Sequence, residues 1–299
     1  MKFQRLRPGQ RVQKTGLIIF GWLFLFYLPV LSQNSPCHFN AQNLQFSGDP
    51  VEQARCLLRP VKPRGILAEP LKNLPPPLEK LIGRRVRPTR KKLRKYLQKL
   101  GLDEQALGGS LAEPLSMARL PNGEQIPALY FIIHDTSTPN YGKESFPADI
   151  NDAAWKYNNL EMWLKNPVAH VFVNRVGDSV TTSPFNETVR KGWGTKFARD
   201  FLKADGKGLQ IHIELCQPRR SSSDWFDGND EISPEIGFTE EQYQRVALLY
   251  LAAGVRRGTW LIPAYHCAID AGIKDAHDDP QNFKLENFAG ALKTLIDKL

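Results

Sequence analysis

The pattern of apolar and polar positions changes character near residue 120. Upstream, residues 33–88 carry frequent prolines, Pro75, Pro76 and Pro77 among them, and few long apolar periods, which predicts a small loop-rich module or a wrapping arm. Thr89 to Gly101 then places Leu93, Tyr96, Leu97 and Leu100 at the i, i+3, i+4, i+7 spacing of one helix face, with Thr89 as N-cap and Gly101 as the stop. Downstream, short apolar runs alternate with helical periods. Residues 128–133 (ALYFII), 169–173 (AHVFV) and 209–215 (LQIHIEL) read as strands, and 180–182 continues the second after a turn at Gly177-Asp178. Helical spacing covers 150–164, 238–255 and 285–299, the middle one opening with Thr239 and Gln242 at capping-box spacing. Strands separated by helices predict an α/β fold, a mixed central β-sheet flanked by helices over residues 120–299, beside a loop-rich and helical N-terminal module over 33–119.

The first 32 residues stand apart from this pattern. Lys2, Arg5, Arg7, Arg11 and Lys14 precede an apolar run over 16–31 that Pro29 interrupts. A membrane-spanning helix needs roughly 20 apolar residues, so this segment reads as a signal peptide or an uncleaved signal anchor. Val30 and Ser32 suit a signal-peptidase site before Gln33. Either reading predicts an exported protein in the periplasm or cell envelope, where cysteines can pair. Of the four cysteines, Cys37 with Cys56 and Cys216 with Cys267 are the expected pairs, the second competing with two buried thiols.

The formal charge of +9 is unevenly spread. Residues 59–99 sum to +12, and residues 100–299 to −7. A nucleic-acid reader concentrates positive charge on the reading domain, whereas here the expected sheet domain repels phosphate, so nucleic acid is excluded as the expected partner. The basic stretch 84–99, with Arg90, Lys91, Lys92, Arg94, Lys95 and Lys99, is either a solvated face or an electrostatic contact with a membrane or anionic wall polymer.

Three of the six histidines end strand-like runs or lie just beyond them: His134 after 128–133, His266 after LIPAY, and His277 within KDAHDDPQNF. Glu214 interrupts an otherwise apolar strand, and a carboxylate there must pair, bind metal or titrate high. His212, two residues earlier, shares its strand face. Two histidines and a carboxylate with a fourth position open to water form a catalytic zinc arrangement, in which zinc acidifies water, polarises a carbonyl and leaves a nearby carboxylate to take the proton. There is no HExxH helix, and spacing alone does not select the ligands.

Six segments narrow the choice. FIIHDTS (131–137), AHVFVNRVGDSV (169–180), GLQIHIEL (208–215), FTEEQYQRVALL (238–249), AYHCAID (264–270) and HDDPQNF (277–283) occur in the order of motifs of the zinc-dependent N-acetylmuramoyl-L-alanine amidases. Over residues 120–290 the chain resembles this AmpD-like family, which shares its fold with peptidoglycan recognition proteins. The resemblance implies one zinc ion on His134, His266 and Asp279, with Glu214 as general base, acting on peptidoglycan or muropeptides. The family commonly carries a lysine two residues before the last ligand. His277 stands there in this sequence, with an oxyanion-stabilising role implied for it. Lys274 takes the lysine's place only in an ungapped alignment, which would put Ala276 on the ligand position, and a further alternative has His277 itself as ligand with Asp279 orienting it. Trp193 and Lys196 match a loop that lines the substrate groove in relatives, the alternative being loop packing. His212 is either a satisfied strand histidine or a flank of the substrate cleft, and His170 is read as packed beside the site. A binding or sensor protein on the same fold, without turnover, is the rival function.

Overall fold

Five strands build the central sheet of the computed structural model, which describes residues 36–221 and 231–299. They are β1 (Tyr130–Asp135), β2 (Val171–Val173), β3 (Ser179–Thr181), β4 (Gln210–Leu215) and β5 (Ile262–Tyr265), in the spatial order β5-β1-β4-β2-β3. β5, β1, β4 and β2 run parallel, and β3 closes the edge antiparallel to β2. The continuous apolar runs follow from this arrangement, because an inner parallel strand buries both faces. Tyr130, Phe131, Ile132 and Ile133 are all fully buried. β2 and β3 are joined through Gly177 at φ +86, where an added Cβ would lie 2.8 Å from the Glu241 side chain, so the turn and the close helix both require glycine.

Alternation along β1 assigns the two faces. Phe131 meets Tyr250 at 5.1 Å between ring centroids, which places helix α3 (Glu240–Arg257) on the odd-numbered face. Tyr130 meets Phe46 at 5.6 Å, and its hydroxyl donates to Gln53 Oε1 and accepts from the Phe46 amide. Phe46 and Gln53 belong to the N-terminal segment, Gln53 lying in helix α1 (Pro50–Leu57). Phe46 and α1 therefore cover the even-numbered face, and the described residues form one contact unit. Helix α2 (Arg90–Leu100) touches α3, and the last helix, α4 (Leu285–Asp297), packs along it. Both cap signals are realised. Thr239 and Gln242 form the reciprocal box at the start of α3, and Thr89 caps α2, which ends at Gly101 with φ 64.

Two expectations are corrected. Residues 150–164 do not form a helix. They contain a 3₁₀ turn at Lys156–Asn158 and a single helical turn at Glu161–Leu164. The apolar positions Ile150, Trp155 and Trp163 are buried as that spacing implied, but Asn158 is spent on the tertiary structure. Its Oδ1 accepts from the Arg175 amide and its Nδ2 donates to the Asp152 carbonyl. Asparagine side chains that capture backbone groups compete with helix in this way. Cys37 and Cys56 are bridged as expected, whereas Cys216 and Cys267 are separate buried thiols. Cys216 packs with Trp163 and Phe172, and the Cys267 thiol reaches the carbonyl of Gly65. Residues 1–32, where a signal peptide or anchor is expected, lie outside the described residues, and no helix among those described is long and apolar enough to cross a membrane.

Candidate metal centre

Strand register assembles the site. His134 pairs with Glu214 across β1 and β4, and Tyr265 pairs with Ile133, so His266, the next residue, falls beside His134. Three side chains thus stand in a row at the carboxyl ends of three parallel strands, the edge where open α/β sheets place their ligands. Asp279 arrives from the loop before α4. Its carboxylate accepts from the Asp135 amide, and its carbonyl accepts from the Cys267 amide, which fixes the loop to both strand ends.

His134, His266 and Asp279 are buried, and their ligand atoms all lie within 4.8 Å of one another. Nδ1 of His134 is 2.9 Å from Nδ1 of His266, which is 3.2 Å from Asp279 Oδ2, and the remaining side of the triangle, His134 Nδ1 to the same Oδ2, measures 3.7 Å. Bonds of about 2.0–2.1 Å around a tetrahedral zinc put neighbouring ligand atoms roughly 3.3 Å apart, so these separations bracket the zinc value. Three converging donors from two imidazoles and a carboxylate are also the borderline ligand type that zinc takes. The residues present fit such an ion.

Glu214 faces this triangle, its Oε1 3.9 Å from His134 Nδ1, while its buried Oε2 has no hydrogen-bond partner among the described residues. Burial, and next the charge of Asp279, raise its pKa well above the usual glutamate range, with His266 pulling the other way. A carboxyl of raised pKa beside a ligand atom, with one oxygen left unpartnered, is suited to proton transfer. His134 is held neutral, its pKa lowered chiefly by burial and then by the neighbouring histidines. Burial also acts to lower His266, but the carboxylates of Asp279 and Asp270 outweigh it and the net shift is upward. A cation would take the place of that imidazolium charge between the carboxylates.

Asp270 was missed from sequence. His266 opens a one-turn helix, His266–Ile269, so the residue four positions on returns to its side. Asp270 Oδ2 lies 3.0 Å from His266 Nε2 and the same carboxylate accepts from the Lys196 and Phe197 amides. A carboxylate behind a ligand histidine fixes its tautomer and leaves Nδ1 free for the metal. The i, i+4 spacing in AYHCAID was the available signal. A second omission is the fully buried pair of Arg219 and Asp135, 2.7 Å apart. Burial, set against the Arg219 charge and reinforced by Asp279, leaves Asp135 pushed up to about 6.

The other expected residues divide. His277 lies at the mouth, its side chain 59% exposed, stacked on His266 at 4.6 Å with Nδ1 3.7 Å from Asp279 Oδ1. It is outside the ligand triangle, and burial followed by the His266 charge lowers its pKa. Lys274 is exposed and does not line the cleft. Lys196 does line it, a cleft of about 340 Å³ with Trp163, Phe172, Lys191 and Arg199 along its walls. The Lys196 ammonium is held by the carbonyls of Lys274 and Asp275, tying two rim loops together. Trp193 is not among the lining residues and instead carries Lys207 over its ring at 5.3 Å. His212 is also absent from the cleft wall. It is 1% exposed and its Nδ1 lies 3.0 Å from His134 Nε2, underneath the ligand.

Comparison with protein-family models gives no match, and comparison with curated proteins gives none either. Among solved structures, the crystal structure of a selenomethionine AmpD derivative aligns with a TM-score of 0.35 at 19% identity, covering 62% of this chain and 97% of that chain. Superposition at that level is weak, and the functional reading below stands on the site's own geometry.

Proposed function

We propose that the chain is a zinc-dependent amidase that hydrolyses the bond between the lactyl group of N-acetylmuramic acid and L-alanine in peptidoglycan or muropeptides. The observation that carries the reading is the in-register row of His134, His266 and Glu214 with Asp279 converging on it, and a Glu214 carboxylate whose Oε1 lies 3.9 Å from His134 Nδ1 while its buried Oε2 has no hydrogen-bond partner among the described residues. The choice of zinc and of this amide comes from the motif order of the sequence, and export to the cell envelope from the basic and apolar N-terminal segment.

His134, His266 and Asp279 would hold the ion, which when bound supplies Lewis acidity toward a carbonyl and toward water. The Glu214 carboxylate would take the proton of the attacking water and deliver it to the departing alanine nitrogen. Its raised pKa suits it to hold that proton between the two steps. His277, at the mouth, offers an N–H to the developing oxyanion. Asp270 and the Lys196 bridge keep the ligand and the rim in place.

The test is mass spectrometry of the products released from purified peptidoglycan by the full chain as isolated, after chelation, and after zinc is restored. Free stem peptides that disappear with chelator and return with zinc are the expected result. Glu214→Gln should lower turnover by about 10²–10⁴-fold while zinc content is unchanged. Fragments cut at another amide would move the assignment to that bond. Zinc-loaded protein that binds the polymer and releases nothing would make the chain a binding or sensor protein and overturn the reading.

A further inference from the structure

His134 presents Nδ1 to the ligand triangle, and its other nitrogen, Nε2, lies 3.0 Å from Nδ1 of His212. For Nδ1 to keep a lone pair for a metal, the ring proton must sit on Nε2, where Nδ1 of His212 is its hydrogen-bond partner among the described residues. His212 must then be the tautomer with its own proton on Nε2. That nitrogen is buried and has no hydrogen-bond partner among the described residues.

The surroundings leave the His212 ring little freedom. It stacks on the His170 ring at 5.7 Å with the planes 4° apart. His170 is in turn fixed, its Nδ1 accepting from the His212 amide and its Nε2 donating to the Glu187 carbonyl. On the cleft loop, Gly194 at φ +81 comes so close that an added Cβ would lie 2.4 Å from the His212 ring. A buried N–H without a partner is costly, and an aliphatic side chain of similar size on β4 would avoid that cost. What the imidazole adds is one acceptor, aimed at the back of His134.

We propose that His212 is a positioning residue that selects Nδ1 of His134 as the metal-binding atom, as Asp270 does for His266. The inference rests on the reading that His134, His266 and Asp279 hold a metal. The two supports differ in kind. Asp270 backs its histidine with a carboxylate, whereas His212 uses a neutral imidazole and adds no negative charge beneath the centre.

The experiment compares the full chain with His212→Leu, His212→Asn and His212→Gln, reading zinc affinity by competition with a chromophoric chelator, the visible spectrum after cobalt loading, and the melting of the metal-free proteins. Leucine keeps volume and removes the acceptor. Asparagine places an amide oxygen near the position of Nδ1, and glutamine places it near Nε2. The expected result is zinc affinity about 10–100-fold weaker in the leucine and glutamine variants, with asparagine returning to within roughly threefold of the parent. The cobalt spectrum should shift in the first two and return in the third, while metal-free melting of the leucine variant is not lowered. If leucine fails to fold, the contrast between asparagine and glutamine carries the decision. Zinc affinity within about twofold of the parent in both the leucine and glutamine variants would overturn the proposal. A parent chain that takes up no zinc would overturn it together with the metal centre. A zinc-loaded parent that releases no stem peptide would overturn the proposed reaction alone and leave the role of His212 standing.

Discussion

His170 is fully buried one strand away from the ligands, and burial lowers its pKa to about 4, with the Glu187 carbonyl opposing. In the unfolded chain it titrates near 6.5, so between these values the unfolded state binds the extra proton and folding weakens as pH falls. The stability it contributes is complete above about pH 6.5 and is lost progressively toward pH 4, by about 3 kcal/mol in all. His170→Asn keeps an acceptor for the His212 amide and removes the titration. Urea unfolding of the chelated proteins from pH 7 to pH 4 should therefore give a shallower loss for the variant, and parallel curves would refute the assignment. At this scale the sequence was readable where a side chain broke its surroundings. Glu214 inside an apolar strand and histidines at strand ends announced themselves. Asp270 did not, because its meaning depends on a single helical turn, and for His212 the sequence offered a satisfied strand histidine or a flank of the cleft without naming His134 as its partner.

Elements were legible where the apolar period is long or the caps are explicit. α3 has both, and α2 is bounded by Thr89 and Gly101. The strands followed from apolar runs, and their register, on which the whole site depends, came from pairings that no single strand encodes. The segment 150–164 failed because helix propensity and helical spacing are overridden when polar side chains are recruited elsewhere. That failure reverses the sign of a mutational effect. Were the segment helical, Asn158→Ala would stabilise the protein slightly, alanine being the better helix former. In the observed fold it removes the acceptor for the buried Arg175 amide and the donor to Asp152, and should cost about 1–3 kcal/mol. Denaturant midpoints decide between the two signs. Arg175 magnifies the effect, since its guanidinium is held by Asn151, Gln217 and the Gly237 carbonyl and loses its anchor if this loop shifts.

Across the whole molecule, the N-terminal segment reaches the back of the candidate metal centre. Phe46 and Gln53 hold Tyr130, α1 lies against β5, and Gly65 approaches both Cys267 and Asp278, the neighbours of two proposed ligands. The composition of residues 33–88 suggested a loop-rich arm, but proline content carries no information about which surface an arm covers. The disulfide between Cys37 and Cys56 closes a loop with a sequence separation of 19 at the root of this arm. Chain entropy for a loop of that size corresponds to about 3 kcal/mol, and Cys37→Ser with Cys56→Ser should lower the melting temperature by roughly 6–12 °C. The form of the transition is the sharper readout. An arm that shares its core with β1 and β5 unfolds with the sheet, so calorimetry should show one transition displaced as a whole. A new, low-melting transition beside an unmoved main one would mean that the arm is a separate module resting on the sheet, and that nothing in it supports the loop carrying Asp279.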